Sequence, residues 1–214
     1  MSNFEYIISS LPFLTTDYRY ADGQGFGTIV EEIRSNLSEK DEALMDFLLR
    51  GLDGKELDAD FYALALSSKD RFIREYFRFD LNLRNAKTVY INKALGRPAG
   101  TDVMTGEGED GDRVDIDGYR FTGGEFEEEL QVENALAEKD LLEREKALDD
   151  LVWKKAEDLT TFHYFDIDAV LGYLAKLKIA DRWIVLDEEK GRELFQQLVK
   201  EVKGTFKGVR YTEE

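Results

Sequence analysis

The sequence predicts an all-α fold, a helical bundle in two halves built from amphipathic helices. Three observations carry this. Phe72, Tyr76, Phe79, Leu83, Ala86, Tyr90 and Ala94 step by three or four through one long stretch, the spacing of a helix with a single core-facing stripe. The last third, Ala137 to Lys203, repeats such a pattern three times with almost no loop between. Residues 99–124 are glycine-rich, acidic and poor in aliphatics, which divides the chain into an N-terminal half (1–97), an excursion (98–124) and a C-terminal half (125–214). The halves can still pack as one domain, because a helix with one apolar stripe is not stable alone. Helix is expected over roughly 60% of the chain or more, well above the usual third. Strand is expected only in the N-terminal segment and the excursion.

Taken in order, Phe4 to Leu14 is apolar, aromatic and β-branched and ends near Pro12. It reads as a short extended segment, with a first helical turn as the alternative. Asp17 to Gly27 reads as a loop, and a helix follows over about Thr28 to Ser35. Ser38 with Asp41 three residues on resembles a capping box with Asp in place of Glu. It opens a helix with Leu44, Phe47 and Leu48 on its apolar side, ending near Gly51. Leu57 to Leu66 makes another short helix. The long helix runs from about Ser68 to Leu95, broadened by Phe77 and Leu81, and Gly96 and Pro98 stop it. Within the excursion, Val114 to Phe121 suits a brief strand pair. In the last third, the first stripe is Leu141, Leu148, Val152, Leu159 and Phe162, widened by Leu142, Leu151 and Ala156. The second is Ile167, Val170, Leu171, Leu174 and Leu177, behind Asp166 as N-cap. The third is Leu194, Phe195, Leu198, Val199 and Val202.

Composition narrows the function classes. Apolar residues make up 43% of the 214, enough for a real core. The net charge is −17, and residues 101–150 alone hold 18 acidic and 5 basic residues, or −13 of it. Such a field repels nucleic acid and anionic membranes but admits a basic partner, or one met through a local basic patch. With no cysteine there is no disulfide, thiol nucleophile or thiolate metal site. The single histidine, His163, makes a zinc site improbable. Met1 to Leu14 lacks the basic region and long apolar core of a signal peptide. No apolar run approaches the roughly 20 residues of a membrane span. A cytoplasmic chain is expected, peripheral to a membrane only through some other protein.

Motifs that would carry chemistry fall short. Gly23, Gly25 and Gly27 are spaced GxGxG, not GxGxxG, and no Gly-Lys-Ser/Thr follows, so an ordinary loop is favoured over a phosphate-binding turn. Asp110, Asp112, Asp115 and Asp117 invite a calcium reading, but Val114 and Asp115 fall where the EF-hand needs an oxygen ligand and a glycine. His163 sits between two helices and reads as a capping or packing residue. No carboxylate pair is singled out as acid and base. Neither enzymatic activity nor a cofactor, metal or small-molecule substrate is expected. The aromatic cluster Phe162, Tyr164 and Phe165, with Trp153 and Trp183, reads first as core and second as a partner surface.

Two stretches look alike: Phe79–Gly96 (FDLNLRNAKTVYINKALG) and Phe165–Ala180 (FDIDAVLGYLAKLKIA) each open on an aromatic-Asp pair ahead of a helix. The first resembles the repeated helical motif of the C/d component of V/A-type ATPases, the central-stalk socket between rotary shaft and membrane ring; Asp80, Asn85, Lys93 and Gly96 match in kind. The blocks Tyr6–Pro12, Glu75–Leu83, Arg144–Lys154 and Arg182–Phe195 resemble an uncharacterised bacterial family encoded among V-type ATPase subunits. The resemblance covers most of the chain except the acidic excursion. The C/d component is usually longer, with three helical repeats around a funnel, against two approximate copies here.

The resemblance implies a non-catalytic subunit of a proton- or sodium-translocating ATPase, with the shaft and membrane-ring subunits as partners. The runner-up is an assembly or regulatory factor that binds ATPase subunits transiently. Most of the acidic surplus lies mid-chain, so a partner surface is expected on the C-terminal half. Its candidates are Trp153, Tyr164 and Trp183, with Lys154, Lys155, Lys176, Lys178 and Arg182 as the basic residues beside them.

Overall fold

A computed structural model describes residues 2–20, 25–55, 57–104 and 126–186. Among the described residues, 69% are helical and none is in a strand. In chain order the helices are α1 (Phe4–Ser10), α2 (Phe26–Arg34), α3 (Glu39–Asp53), α4 (Ala59–Leu66), α5 (Arg71–Ala94), α6 (Glu129–Leu136), α7 (Leu141–Thr160) and α8 (Ile167–Val185). The third C-terminal stripe, the expected strand pair and the aspartates of the calcium reading lie outside the described residues.

The expected N-terminal extended segment is corrected over Phe4–Ser10, which is helical. Asn3 starts it by accepting from the Tyr6 N–H, and the chain becomes extended only at Leu11, ahead of Pro12. At α3 the capping box has an extra member. The Ser38 side chain accepts from the Asp41 N–H at 3.4 Å. The Ser38 N–H, which a glutamate would reach, is taken instead by Ser2 Oγ at 2.7 Å, and that hydroxyl donates to Asp41. The shorter carboxylate thus reaches the cap through a serine.

α5 is the central element. Phe72, Tyr76, Phe79, Leu83 and Ala86 of its stripe are buried, while Ala94 is exposed because the helix outruns the core at its end. The largest cluster draws on both halves: Ile29, Met45, Leu48, Phe61, Phe72 and Phe77 from the first, Ala156, Leu171, Leu174 and Leu177 from the second. A second cluster joins α5, α6 and α7 through Phe79, Leu83, Val132, Leu136 and Leu148. The halves therefore share a core. The excursion does not leave the body at 98. Buried Asn92 donates to the carbonyls of Ala99 and Thr101, and buried Asn85 exchanges two hydrogen bonds with the Met104 backbone, strapping the chain to α5 as far as Met104.

The two sequence copies do not correspond in structure. Asp166 is the N-cap of α8, whereas Asp80 lies inside α5, where it accepts from the Tyr62 hydroxyl at 2.6 Å and Arg84 at 2.8 Å. A different repeat is present. Three of the four boundaries of the α6–α7 pair fall 70 positions after their counterparts in α4–α5: Ala59/Glu129, Leu66/Leu136 and Arg71/Leu141. Asp70 and Asp140 cap the longer helices by accepting from the N–H groups of Ile73 and Glu143. Arg74 donates to the Ser68 carbonyl and Arg144 to the Glu138 carbonyl, again one register apart by 70. The same helical hairpin is thus built twice, from Ala-Leu-x-x-Lys-Asp-x-x-x-Arg-Glu at Ala65–Glu75 and Ala135–Glu145.

Candidate partner-binding surface

Most of the eight residues expected to form a docking face make contacts within the fold. Trp153 is buried, and its indole N–H donates to Glu157. Trp183 donates to Asp149 at 2.6 Å, and Arg182 pairs with the same carboxylate. Tyr18 stacks on Trp183 at 5.6 Å and meets Trp153 at 5.5 Å, while its hydroxyl donates to Asp150. Tyr18 is held at a φ of 60°, a left-handed conformation costly for a side chain of its size, so these contacts fix the 14–20 segment on the α7–α8 pair. Lys154 pairs with Asp158 and Lys155 with Glu128. Lys178 lies 4.8 Å over the Phe26 ring, at the α2–α8 junction. Lys176 lies 5.4 Å over the Trp153 ring. Of the eight, Lys154, Tyr164 and Arg182 are exposed, and the two basic ones are paired with Asp158 and Asp149. The aromatic and basic residues chosen for docking are mostly ties within the fold, because burial and pairing consume them.

The most exposed aromatic side chains lie at the α7–α8 turn and just after α1. Phe162, Tyr164 and Phe165, on the turn between α7 and α8, and Phe13, after α1, range from 58% to 84% exposed. Phe162 thus leaves the stripe to which the sequence assigned it: α7 ends at Thr160, and a side chain on the turn faces neither helix interface. Phe13 and Tyr164 flank a groove of about 410 Å³ floored by Leu14, His163, Tyr173 and Lys176. The Tyr173 hydroxyl donates to the Pro12 carbonyl at 2.8 Å, joining the two walls, and burial pushes its phenol pKa up. The sequence singled out Tyr164, His163 and Lys176 of this place, and missed Phe13 because it sat inside an apparently buried segment. The signal that could have found the crest is Phe-His-Tyr-Phe between a helix end and an N-cap Asp, where no stripe can absorb three aromatics.

The turn that carries the crest is rigidly tied. Arg71, the first residue of α5, donates to the Leu159 carbonyl at 2.6 Å and to Asp168 at 3.2 Å, and meets His163 Nε2 at 3.0 Å. A guanidinium can only donate, so Nε2 accepts and the Nδ1–H donates to Asp166 at 2.6 Å. His163 is therefore a packing and capping residue whose second nitrogen is occupied by Arg71. Burial pushes the Asp168 carboxyl above the ordinary carboxylate range, reinforced by nearby Asp70 and opposed by His163 and Arg71. Among the described residues no group of three or more His, Asp or Glu could hold a metal ion, and no helix is long and apolar enough to cross a membrane.

A family model described as a protein of unknown function, DUF2764, matches residues 52–205. The chain belongs to that family. No curated protein and no solved structure matches it. The DUF2764 match spans both copies of the helical hairpin and the turn with Phe162, Tyr164 and Phe165, and it continues past Leu186; α1, α2 and Phe13 precede it.

Proposed function

We propose that this member of DUF2764 is a non-catalytic subunit of a V/A-type, proton- or sodium-translocating ATPase, standing in the place of the C/d socket component. The aromatic crest is its docking surface. The observation that carries the docking part is the crest itself: Phe162, Tyr164 and Phe165 exposed on a turn held by the Arg71–His163–Asp166–Asp168 ties, with Tyr164 facing exposed Phe13 across a groove. Clustered aromatics are the side chains that most often dominate binding energy, and an isolated chain has no reason to leave them in water. The ATPase assignment rests on the sequence resemblance. A socket that transmits torque needs helices joined without play, and the shared core and tied turn suit that task.

The test is to purify the ATPase complex from a source that encodes this chain. The chain is expected at fixed stoichiometry after extensive washing. The double variant Phe162→Ser/Phe165→Ser is expected to lower its retention by at least about tenfold, roughly the loss of one hot spot. Both residues are exposed, so the isolated variant should keep its helical circular dichroism. Presence only in immature complexes would replace this reading with an assembly factor, and absence from every complex would remove it.

A further inference from the structure

At the far end of the α7–α8 hairpin from the aromatic crest lies a second apolar surface. Leu141 and Leu142 in the first turn of α7, and Val185 and Leu186 at the end of α8, are each more than half exposed. Leu141, Leu142, Trp183 and Leu186 line a groove of about 450 Å³ whose rim is Asp140, Glu145 and Arg182. A smaller groove of about 210 Å³ shares Leu142, Trp183 and Leu186 and reaches Tyr18. Apolar surface gathered in this way is expected to have a cover.

The repeated hairpin says that the cover is missing. Leu142 stands in the second copy where Phe72 stands in the first, 70 positions earlier, and Phe72 is fully buried. The same position of the same motif is core once and open once. The next stretch of chain fits the opening. The last described residue, Leu186, itself lines the groove, and the family match runs on to residue 205. That stretch holds the stripe Leu194, Phe195, Leu198, Val199 and Val202 at helical spacing. Residues 191–203 hold three basic and two acidic residues, a net charge of +1 in a chain of −17. They would meet Asp140 and Glu145 on the rim of the groove. A connection of about five residues reaches up to roughly 17 Å and is of ordinary length for adjoining helices. A second copy of the chain fits less well, since the acidic surplus opposes self-association.

We propose that the chain's own C-terminal segment, residues 191–203, packs its apolar stripe into the groove of Leu141, Leu142, Trp183 and Leu186 and completes the core of the second hairpin. The chain has no cysteine, so introduced pairs report directly. In the full-length protein, Leu142→Cys is combined in turn with Leu194→Cys, Leu198→Cys or Val202→Cys on the stripe, and with Gln196→Cys or Lys200→Cys on the opposite face. Mild oxidation is expected to close at least one stripe pair within a single chain at a rate independent of protein concentration, and neither opposite-face pair. In parallel, maleimide labelling of Leu142→Cys is expected to accelerate at least about tenfold when Leu194→Asp/Leu198→Asp is added. Cross-links without preference for the stripe, none at all, or only between chains would overturn the proposal, as would unchanged labelling. Circular dichroism of each variant confirms that the described helices persist. These measurements use the isolated chain, so they stand apart from the ATPase reading.

Discussion

At the scale of single residues, the tightest point in the core is Gly51. A Cβ there would lie 2.2 Å from Phe77 Cζ and 2.8 Å from Phe61 Cζ. Neither ring can yield easily. Phe77 and Phe61 meet edge to face at 4.9 Å, and Phe47 stacks on Phe61 at the same distance. Alanine in place of a helical glycine normally gains about 1 kcal/mol, whereas forcing extra volume into a packed core costs about 1–3 kcal/mol. With the approach well inside contact distance, the clash should win. Gly51→Ala is expected to lower the free energy of unfolding in urea by at least about 1 kcal/mol; an increase would mean that the rings slide aside. The sequence placed Gly51 at a helix end, where glycine is common. It could not reveal that the glycine sits beneath two aromatic rings from α4 and α5, because that depends on how three helices cross.

At the scale of elements, six of the eight described helices start on side-chain caps, and two of those caps are legible in the sequence. Ser38 and Asp166 announce themselves directly. Asp58, Asp70 and Asp140 do the same work for α4, α5 and α7. Two short helices escape. α1 escapes because its residues are those of a strand and only Asn3 marks a start; α6 escapes because its few apolar residues are embedded in an acidic stretch. The true repeat is hidden for a related reason: the aromatic-Asp pairs at Asp80 and Asp166 look alike, but Asp80 lies inside α5 and the matching caps are Asp70 and Asp140. An N-cap Asp replaced by Ala costs about 1 kcal/mol. Asp70→Ala and Asp140→Ala are each expected to lose about that much in urea denaturation. Asp166→Ala should lose more, because its other carboxylate oxygen also holds the His163 ring. Equal losses at all three caps would show that the His163 tie adds nothing to stability.

At the scale of the whole molecule, the all-α class and the union of the halves are legible because each long stripe demands a partner. The proposed docking surface is not. Trp153, Trp183 and Arg182 look alike in sequence whether they face a partner or Tyr18 and Asp149, and only the fold decides. Charge is the property that the sequence states most directly, and its consequence concerns the whole chain. A net charge of −17 on a 214-residue protein is self-repelling, and compaction brings those charges closer. Attractive pairs oppose it, but many are exposed: Lys55–Asp53, Lys154–Asp158 and Arg19–Asp17 are open to solvent on both sides. Such pairs contribute only about 0–1 kcal/mol each. Repulsion is spread over the surface and long in range, so salt should screen more repulsion than attraction. Raising NaCl from about 20 mM to about 300 mM, which shortens the screening length to below about 8 Å, is therefore expected to raise the Tm. A fall in Tm over that range would mean that the ion pairs, including the half-buried Lys155–Glu128 contact, outweigh the acidic surplus.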